Sequence, residues 1–295
     1  MRPRDIAAYL FLALAWGLSF VLLLKVVAAF GWVGAVTFRC FIAAAILVVL
    51  ARSTGRKLSF PQSWIPLAVV GATTVAGQLI GLSYAAPRIG TAMAAIFVAS
   101  IPLFSMVIAQ VWGLERITPV RVAGLLLGTL GIVMLVGFPA VPVTFAFVLG
   151  CLAMVFSTFC AAFGSNYASR FLKDTGPWEV TIGAFLAGGV IALPLIFVVP
   201  VPVSPQPIDY LYLVALAGLM SSLTYVLYFG LVASIGATRA ISVEFAVTVV
   251  AVLVGALVLD EPLTLVQVAG GAVIIAGCAL VLGLLPAKDK IPLQP

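Results

Sequence analysis

Residues 178–199 read WEVTIGAFLAGGVIALPLIFVV, 22 positions with one charge, and stretches like it recur along the whole chain. Away from water, every backbone N–H and C=O in such a stretch needs a partner inside the protein. That leaves the helix and the closed barrel as spanning structures. Barrel strands are shorter and alternate in polarity, a pattern absent here. Charged residues make up 8% of the 295 positions and the mean hydropathy is +1.30, whereas a soluble domain carries about 25% charged residues. So few charges cannot cover a water-facing surface. The fold class read from this is an all-α polytopic membrane protein.

A spanning helix needs about 20 mostly apolar residues. Apolar runs between breakers place ten transmembrane helices near 6–29, 32–51, 64–86, 90–111, 120–137, 145–168, 178–199, 208–233, 237–258 and 263–284. The breakers include PRIG, GLERITP, GFPAVPV and LDEPLT. The opening run is about twice the length of a signal-peptide core and lacks a small-x-small cleavage site, so it reads as a retained first helix.

Lysine and arginine set the expected orientation. With the N-terminus inside, cytoplasmic segments hold Arg2, Arg4, Arg52, Arg56, Lys57, Arg116, Arg121, Arg170, Lys173, Arg239, Lys288 and Lys290. The outer segments hold Lys25 and Arg88, and Arg39 lies within the second helix. Both termini are therefore expected in the cytoplasm. This asymmetry accounts for the net charge of +6 without a nucleic-acid partner. Histidine is absent, which removes the commonest metal ligand and general base. Cys40, Cys151, Cys160 and Cys278 lie in apolar runs without metal-ligand spacing and read as packing residues. No cofactor and no metal site is expected.

The chain also repeats itself. A shift of 146 places Glu115, Thr118, Val120, Val122, Ala123, Gly124, Gly131 and Gly137 on Glu261, Thr264, Val266, Val268, Ala269, Gly270, Gly277 and Gly283. It also pairs Trp32 with Trp178 and Ile89-Gly90 with Ile235-Gly236. Five helices per copy is an odd number, so the second copy enters the membrane inverted relative to the first. The expected units are 1–139 and 140–286, two inverted five-helix repeats, with 287–295 a cytoplasmic tail. Inverted repeats place substrate sites near the midplane and open them alternately.

These segments resemble a known superfamily. WGLSF at 16–20, Arg39 early in the second helix, and the paired LERITPVRVAGLLLGTLGIV and LDEPLTLVQVAGGAVIIAGC look like the drug/metabolite transporters, in their EamA-type ten-helix branch. Overall the chain is similar to the aromatic amino-acid exporters of the YddG type. The resemblance implies a multi-pass carrier in the inner (cytoplasmic) membrane, exporting a small metabolite through a central cavity. That cavity would be lined chiefly by the third, fourth, eighth and ninth helices and their neighbours.

Glu244 and Arg39 are the clearest candidates for that cavity. A charge at the centre of a spanning helix costs about 2.5–3.5 kcal/mol on insertion scales, so such groups face water or a partner. The repeat aligns them with Val98 and Phe185, so neither charge belongs to the symmetric scaffold. At about 1.5 Å per residue each lies roughly 10 Å from its own face of a core about 30 Å thick, leaving about 10 Å between them. A zwitterion suits that gap, its carboxylate on Arg39 and its ammonium on Glu244. Glu244 could instead carry a proton through the cycle, since burial disfavours the charged form of a carboxyl. The residues leave proton coupling and a structural ion pair open.

Gln78 and Thr224 hold equivalent positions in the two halves. Ser221, Thr224, Tyr225 and Tyr228 form a polar and aromatic stripe, and Trp16 with Ser19 forms another; Tyr84, Phe97 and Ser100 are further candidates. Pro102 is expected to kink the fourth helix and is the hinge candidate. Gly124, Gly128 and Gly131 share a face that admits a close helix neighbour, within the subunit or in a dimer. Glu115 and Glu261 precede Thr118 and Thr264 and read as helix punctuation. Lys25 is expected to snorkel. Enzyme, channel and scaffold readings lack their signatures: no protected nucleophile and base, no charge ring or filter loop. Export of large neutral or aromatic amino acids leads, with efflux of drugs or other amphipathic metabolites as the alternative.

Overall fold

The computed structural model describes residues 2–98, 100–114, 118–136, 144–199, 201, 204–258 and 265–282. Among these the chain is helical almost throughout, and no strand occurs. The helices in order are α1 (Pro3–Ser53), α2 (Ile65–Val70), α3 (Gln78–Val98), α4 (Ile101–Val111), α5 (Pro119–Val136), α6 (Phe145–Phe171) and α7 (Pro177–Ala192). They continue with α8 (Pro207–Ala217), α9 (Thr224–Ile235), α10 (Ala237–Ile241), α11 (Val243–Val258) and α12 (Leu265–Leu282). Among the described residues five stretches, Leu22–Ser53, Ile65–Gly90, Phe145–Phe171, Pro177–Phe197 and Pro207–Ile235, are long and apolar enough to cross a membrane. Large apolar side chains such as Val49, Leu152, Val190 and Leu211 are exposed on their outer surfaces, as a hydrocarbon surround requires.

Local chemistry sets the helix starts. Proline stands in the first turn of α1, α2, α4, α7 and α8, where its missing N–H would be unpaired in any case. Thr144 accepts from the Phe147 N–H to cap α6. Thr118 does the same for α5 through the Arg121 N–H at 3.4 Å. Glu115, Glu261 and Thr264 lie outside the described residues, as do the expected 139/140 boundary and the 287–295 tail.

Three expectations about breaks need correction. PRIG does not end its helix at the proline: Pro87 sits within α3, and Gly90, at φ +81°, turns the chain. Arg88 donates to the Tyr84 carbonyl there, serving part of the backbone that proline disturbs. The span 90–111 is not one helix kinked by Pro102. It breaks between Val98 and Ile101, and Pro102 lies in the first turn of α4, where it starts a helix instead of bending one. The span 237–258 is likewise broken at Ser242, between α10 and α11.

One succession occurs twice. A π-helical turn at Gly71–Gly77 leads into α3, which turns at Gly90; another at Gly218–Leu223 leads into α9, which ends at Gly236. Gly90 (φ +81°) and Gly236 (φ +87°) are 146 positions apart and share a left-handed conformation that is easy only for glycine.

The α5 glycines pack within the subunit, against α12. A Cβ on Gly131 would lie 2.8 Å from the Gly270 carbonyl, and one on Gly277 2.6 Å from the Gly128 N, so the two backbones touch. The cross-contacts also define two ends. Arg56 stacks over Trp178, the Ser59 N–H donates to Glu179, Arg170 reaches the Trp112 carbonyl, and Ser234 donates to Asp5. These gather Asp5, Arg56, Arg170 and Lys173 at one end, called the basic end here. The turn at Gly31, Val201 and Tyr210 lie at the opposite end.

Candidate functional site

The site is built where helices are interrupted. In a π turn one extra residue is accommodated per turn, and such bulges recur at functional positions. In the turn at Gly218–Leu223, Ser221 and Ser222 direct their hydroxyls back to the Leu216 and Ala217 carbonyls, five residues earlier. Arg39, buried on the second half of α1, reaches across to this turn. Its Nε–H donates to Ser221 Oγ at 2.5 Å and its Nη2–H to the Met220 carbonyl at 3.3 Å. Ser222 Oγ lies 3.0 Å from the Ala43 carbonyl, so the same stretch of α1 is clamped twice.

Immediately after the turn, Thr224, Tyr225 and Tyr228 are buried on α9. Trp16 sets its ring 5.8 Å from Tyr225 and 5.5 Å from Tyr228, and Phe185 of α7 lies 4.9 Å from Tyr225. Such edge-on pairs contribute about 0.5–1.5 kcal/mol beyond their buried area. Tyr228 shares a hydrogen bond of 2.6 Å with Ser165 of α6. Together these rings form a compact aromatic cluster.

Glu244 enters from the other interruption. Ser242 closes α10 by donating to the Arg239 carbonyl, and α11 restarts at Val243. Glu244 thus sits in the first turn of α11, where the helix N-terminus favours an anion. It is 8% exposed, within electrostatic range of the hydroxyls of Tyr9, Tyr225 and Tyr228. Tyr225 also lies within range of Arg39. Among the described residues neither Arg39 nor Glu244 forms an ion pair. The reading of a tight structural pair is therefore set aside.

The same family matches this chain twice, over residues 5–137 and 148–283: the EamA-like transporter family. The chain belongs to the EamA-like transporter family. It is a multi-pass membrane transporter, of a family that acts on small-molecule substrates. An uncharacterized transporter of Archaeoglobus fulgidus is 24% identical over 274 residues, covering 90% of this chain and 94% of its own. A solved crystal structure superposes with a TM-score of 0.79 at 21% identity, covering 96% of this chain and 99% of the other, which establishes the fold.

In this transporter the expected site residues divide. Trp16, Arg39, Thr224, Tyr225, Tyr228 and Glu244 come together as described. Ser19 donates to the Trp16 carbonyl one turn back, which satisfies it locally. Gln78 follows the first π turn, and its backbone carbonyl accepts from Ser157 of α6. Tyr84 is drawn away to the opposite end, with Trp32 at 5.2 Å and the Arg88 guanidinium 3.6 Å above its ring. Phe97 is half-buried against the core, and Ser100 donates to its carbonyl at the α3/α4 break. The cluster is therefore drawn from α1, α7, α9 and α11; α9 and α11 fall in the eighth and ninth of the spans expected to line the cavity, whereas α1 and α7 fall outside the four named spans.

Sequence reading missed Tyr9, Ser165 and Asn166. Tyr9 hydrogen-bonds Ser242 at 3.2 Å and Cys278 at 3.8 Å, tying the α10/α11 break to α1 and α12. Asn166 donates to the carbonyls of Ala162 and Ser105 and to Ser105 Oγ. The signal for these was the polar run Gly164-Ser165-Asn166-Tyr167 inside an apolar helix. All four cysteines are free thiols, and among the described residues no cluster could hold a metal ion.

Proposed function

We propose that this transporter exports large neutral or aromatic amino acids across the cytoplasmic membrane by alternating access. The observation that carries the reading is that Arg39 and Glu244 are both buried without an ion pair among the described residues, in the same part of the bundle as the aromatic cluster. Arg39 offers a planar donor pair to a carboxylate, Glu244 accepts an ammonium, and the rings of Trp16, Tyr225, Tyr228 and Phe185 take a flat or apolar side chain. One basic group suits a small zwitterion; a phosphorylated sugar would need several.

The carrier is proposed to have ten spans in two inverted five-helix repeats, 1–139 and 140–286, with both termini cytoplasmic. Support comes from the double family match, from the π turns and left-handed glycines spaced 146 apart, and from the two broken helices at 98–101 and 242. Interrupted helices in corresponding places mark the substrate site of inverted-repeat carriers. With the basic end cytoplasmic, lysine and arginine follow the positive-inside pattern. Gln78 and Phe97 would border the pocket in another state of the cycle, with the breaks beside Pro102 and Ser242 as its hinges.

Counterflow in proteoliposomes with a panel of labelled amino acids tests this. Saturable exchange of phenylalanine or leucine is expected. Glu244→Gln and Arg39→Gln should each lower it at least tenfold with an unchanged melting temperature in detergent. Equal loss of folded protein would return both residues to a packing role. Flux of an amphipathic cation with none of any amino acid would move the assignment to drug efflux. Export that follows an imposed pH gradient in the wild type and loses that dependence in Glu244→Gln would assign proton coupling to the same carboxylate.

A further inference from the structure

A cavity lies apart from the aromatic cluster, at the opposite end. It is a crevice of about 690 Å³ between the second half of α1, the start of α8 and the residues Val201, Ser204 and Pro205. Phe30, Phe38, Phe41 and Ile42 line one wall and Tyr210 and Leu213 the other. Phe30 stands beside the turn at Gly31, and Ile42 is 12 residues further along the helix. At about 1.5 Å per residue the crevice runs roughly 18 Å into the membrane, close to half of a hydrocarbon core about 30 Å thick.

We propose that this crevice binds one acyl chain of a bilayer phospholipid. Its depth is that of one leaflet, which is the length of one such chain. Its lining carries no charge, and the Ser204 and Tyr210 hydroxyls are the polar side-chain groups among the described lining residues. No charged group there pairs with an ammonium or a carboxylate, and the guanidinium of nearby Arg39 turns away to Ser221 and Met220. The chemistry therefore fits an uncharged aliphatic chain and excludes a zwitterionic substrate. The floor of the crevice at Phe41 and Ile42 adjoins the stretch of α1 that clamps the π turn, so a bound chain backs the segment carrying Arg39.

Gly34 provides the probe. A Cβ built there meets Phe30, Phe38 and Val201 at 3.5–3.6 Å, ordinary contact distances at the crevice wall. Gly34→Leu fills the upper crevice while keeping a helical backbone. The detergent-purified full chain, delipidated and titrated with dipalmitoyl phosphatidylglycerol, is followed by native mass spectrometry. One lipid should be held through activation that strips the rest, and Gly34→Leu should weaken it at least tenfold. Val190→Leu, on an exposed face of α7, should leave it unchanged. Wild-type affinity in Gly34→Leu, or equal weakening in Val190→Leu, overturns the site. Should Gly34→Leu not fold, Val201→Trp blocks the rim with the same expected loss. Free palmitate should compete and glycerol 3-phosphate should not; the reverse result assigns the binding to the headgroup and rejects the crevice.

Discussion

The two ends of the molecule are closed by different chemistry. At the basic end, polar side chains from separate helices find one another: Asp5 with Ser234, Tyr9 with Ser242 and Cys278, Ser105 with Thr238 and Asn166. At the opposite end, rings and cations meet instead. Phe30 packs on Tyr210, Trp32 on Tyr84, Arg88 over Tyr84, and Lys25 over Tyr212. The crevice also opens on that side. Hydrogen bonds between membrane helices are individually modest, about 0.6 kcal/mol on average. Several small, separable bonds make a closure that can be undone and remade, whereas backbone-to-backbone packing cannot part without losing all its contacts together. The difference leads us to expect that the basic end opens more readily than the opposite end, with the aromatic cluster of Trp16, Tyr225 and Tyr228 just beyond it.

Four substitutions test that contrast, and the largest effect should come from packing. Gly131→Val forces a side chain against the Gly270 carbonyl, and overpacking of this kind costs about 1–3 kcal/mol. Thermal unfolding in detergent should show a loss at the upper end of that range. A near-normal melt would mean that the α5/α12 seam is not holding the bundle. Asn166→Leu removes three donor contacts at the basic end while nearly keeping its shape, with an expected loss of about 1–2 kcal/mol. It should also raise thiol labelling at a cysteine placed on Tyr228 more than the same change elsewhere does. Unaltered labelling would break the gate assignment.

Tyr9→Phe deletes the hydroxyl joining α1 to the Ser242 break. Its cost should be about 0.5–1 kcal/mol, with a larger effect on exchange rate than on stability, read by comparing counterflow with melting. Lys25→Met at the opposite end should be the mildest. Its ammonium is exposed and lies 4.6 Å from the Tyr212 ring, a contact that contributes about 0.5 kcal/mol at such sites. A loss greater than that from Tyr9→Phe would invert the comparison.

Much of the helical layout was legible before any coordinates, and the places where it was not are informative. The stops at Gly31, Gly90 and Gly236 could be anticipated, because glycine is where a chain turns with a positive φ. Pro102 misled because a proline in an apolar run reads as a kink; only the break after Val98 reveals it as a helix start. The break at Ser242 had no warning, since serine is unremarkable in a membrane helix until its hydroxyl caps the Arg239 carbonyl. Among site residues, Arg39 and Glu244 stood out because isolated charges in hydrocarbon are costly. Tyr84 looked equivalent to Tyr225 by type, yet its neighbours Trp32 and Arg88 hold it elsewhere.

Taken alone, the sequence determined that the chain is a bundle of apolar helices, where most of them end, and which charges needed a reason to be buried. These are local matters, decided by backbone hydrogen bonding in a medium without water and by the cost of each residue there. Tertiary structure alone decided that Arg39 serves a π turn on another span and forms no ion pair with Glu244. It also decided that Tyr9, 233 positions from Ser242, locks the broken helix. Such contacts depend on how helices rotate and approach, which packing of the whole bundle sets and no single stretch encodes.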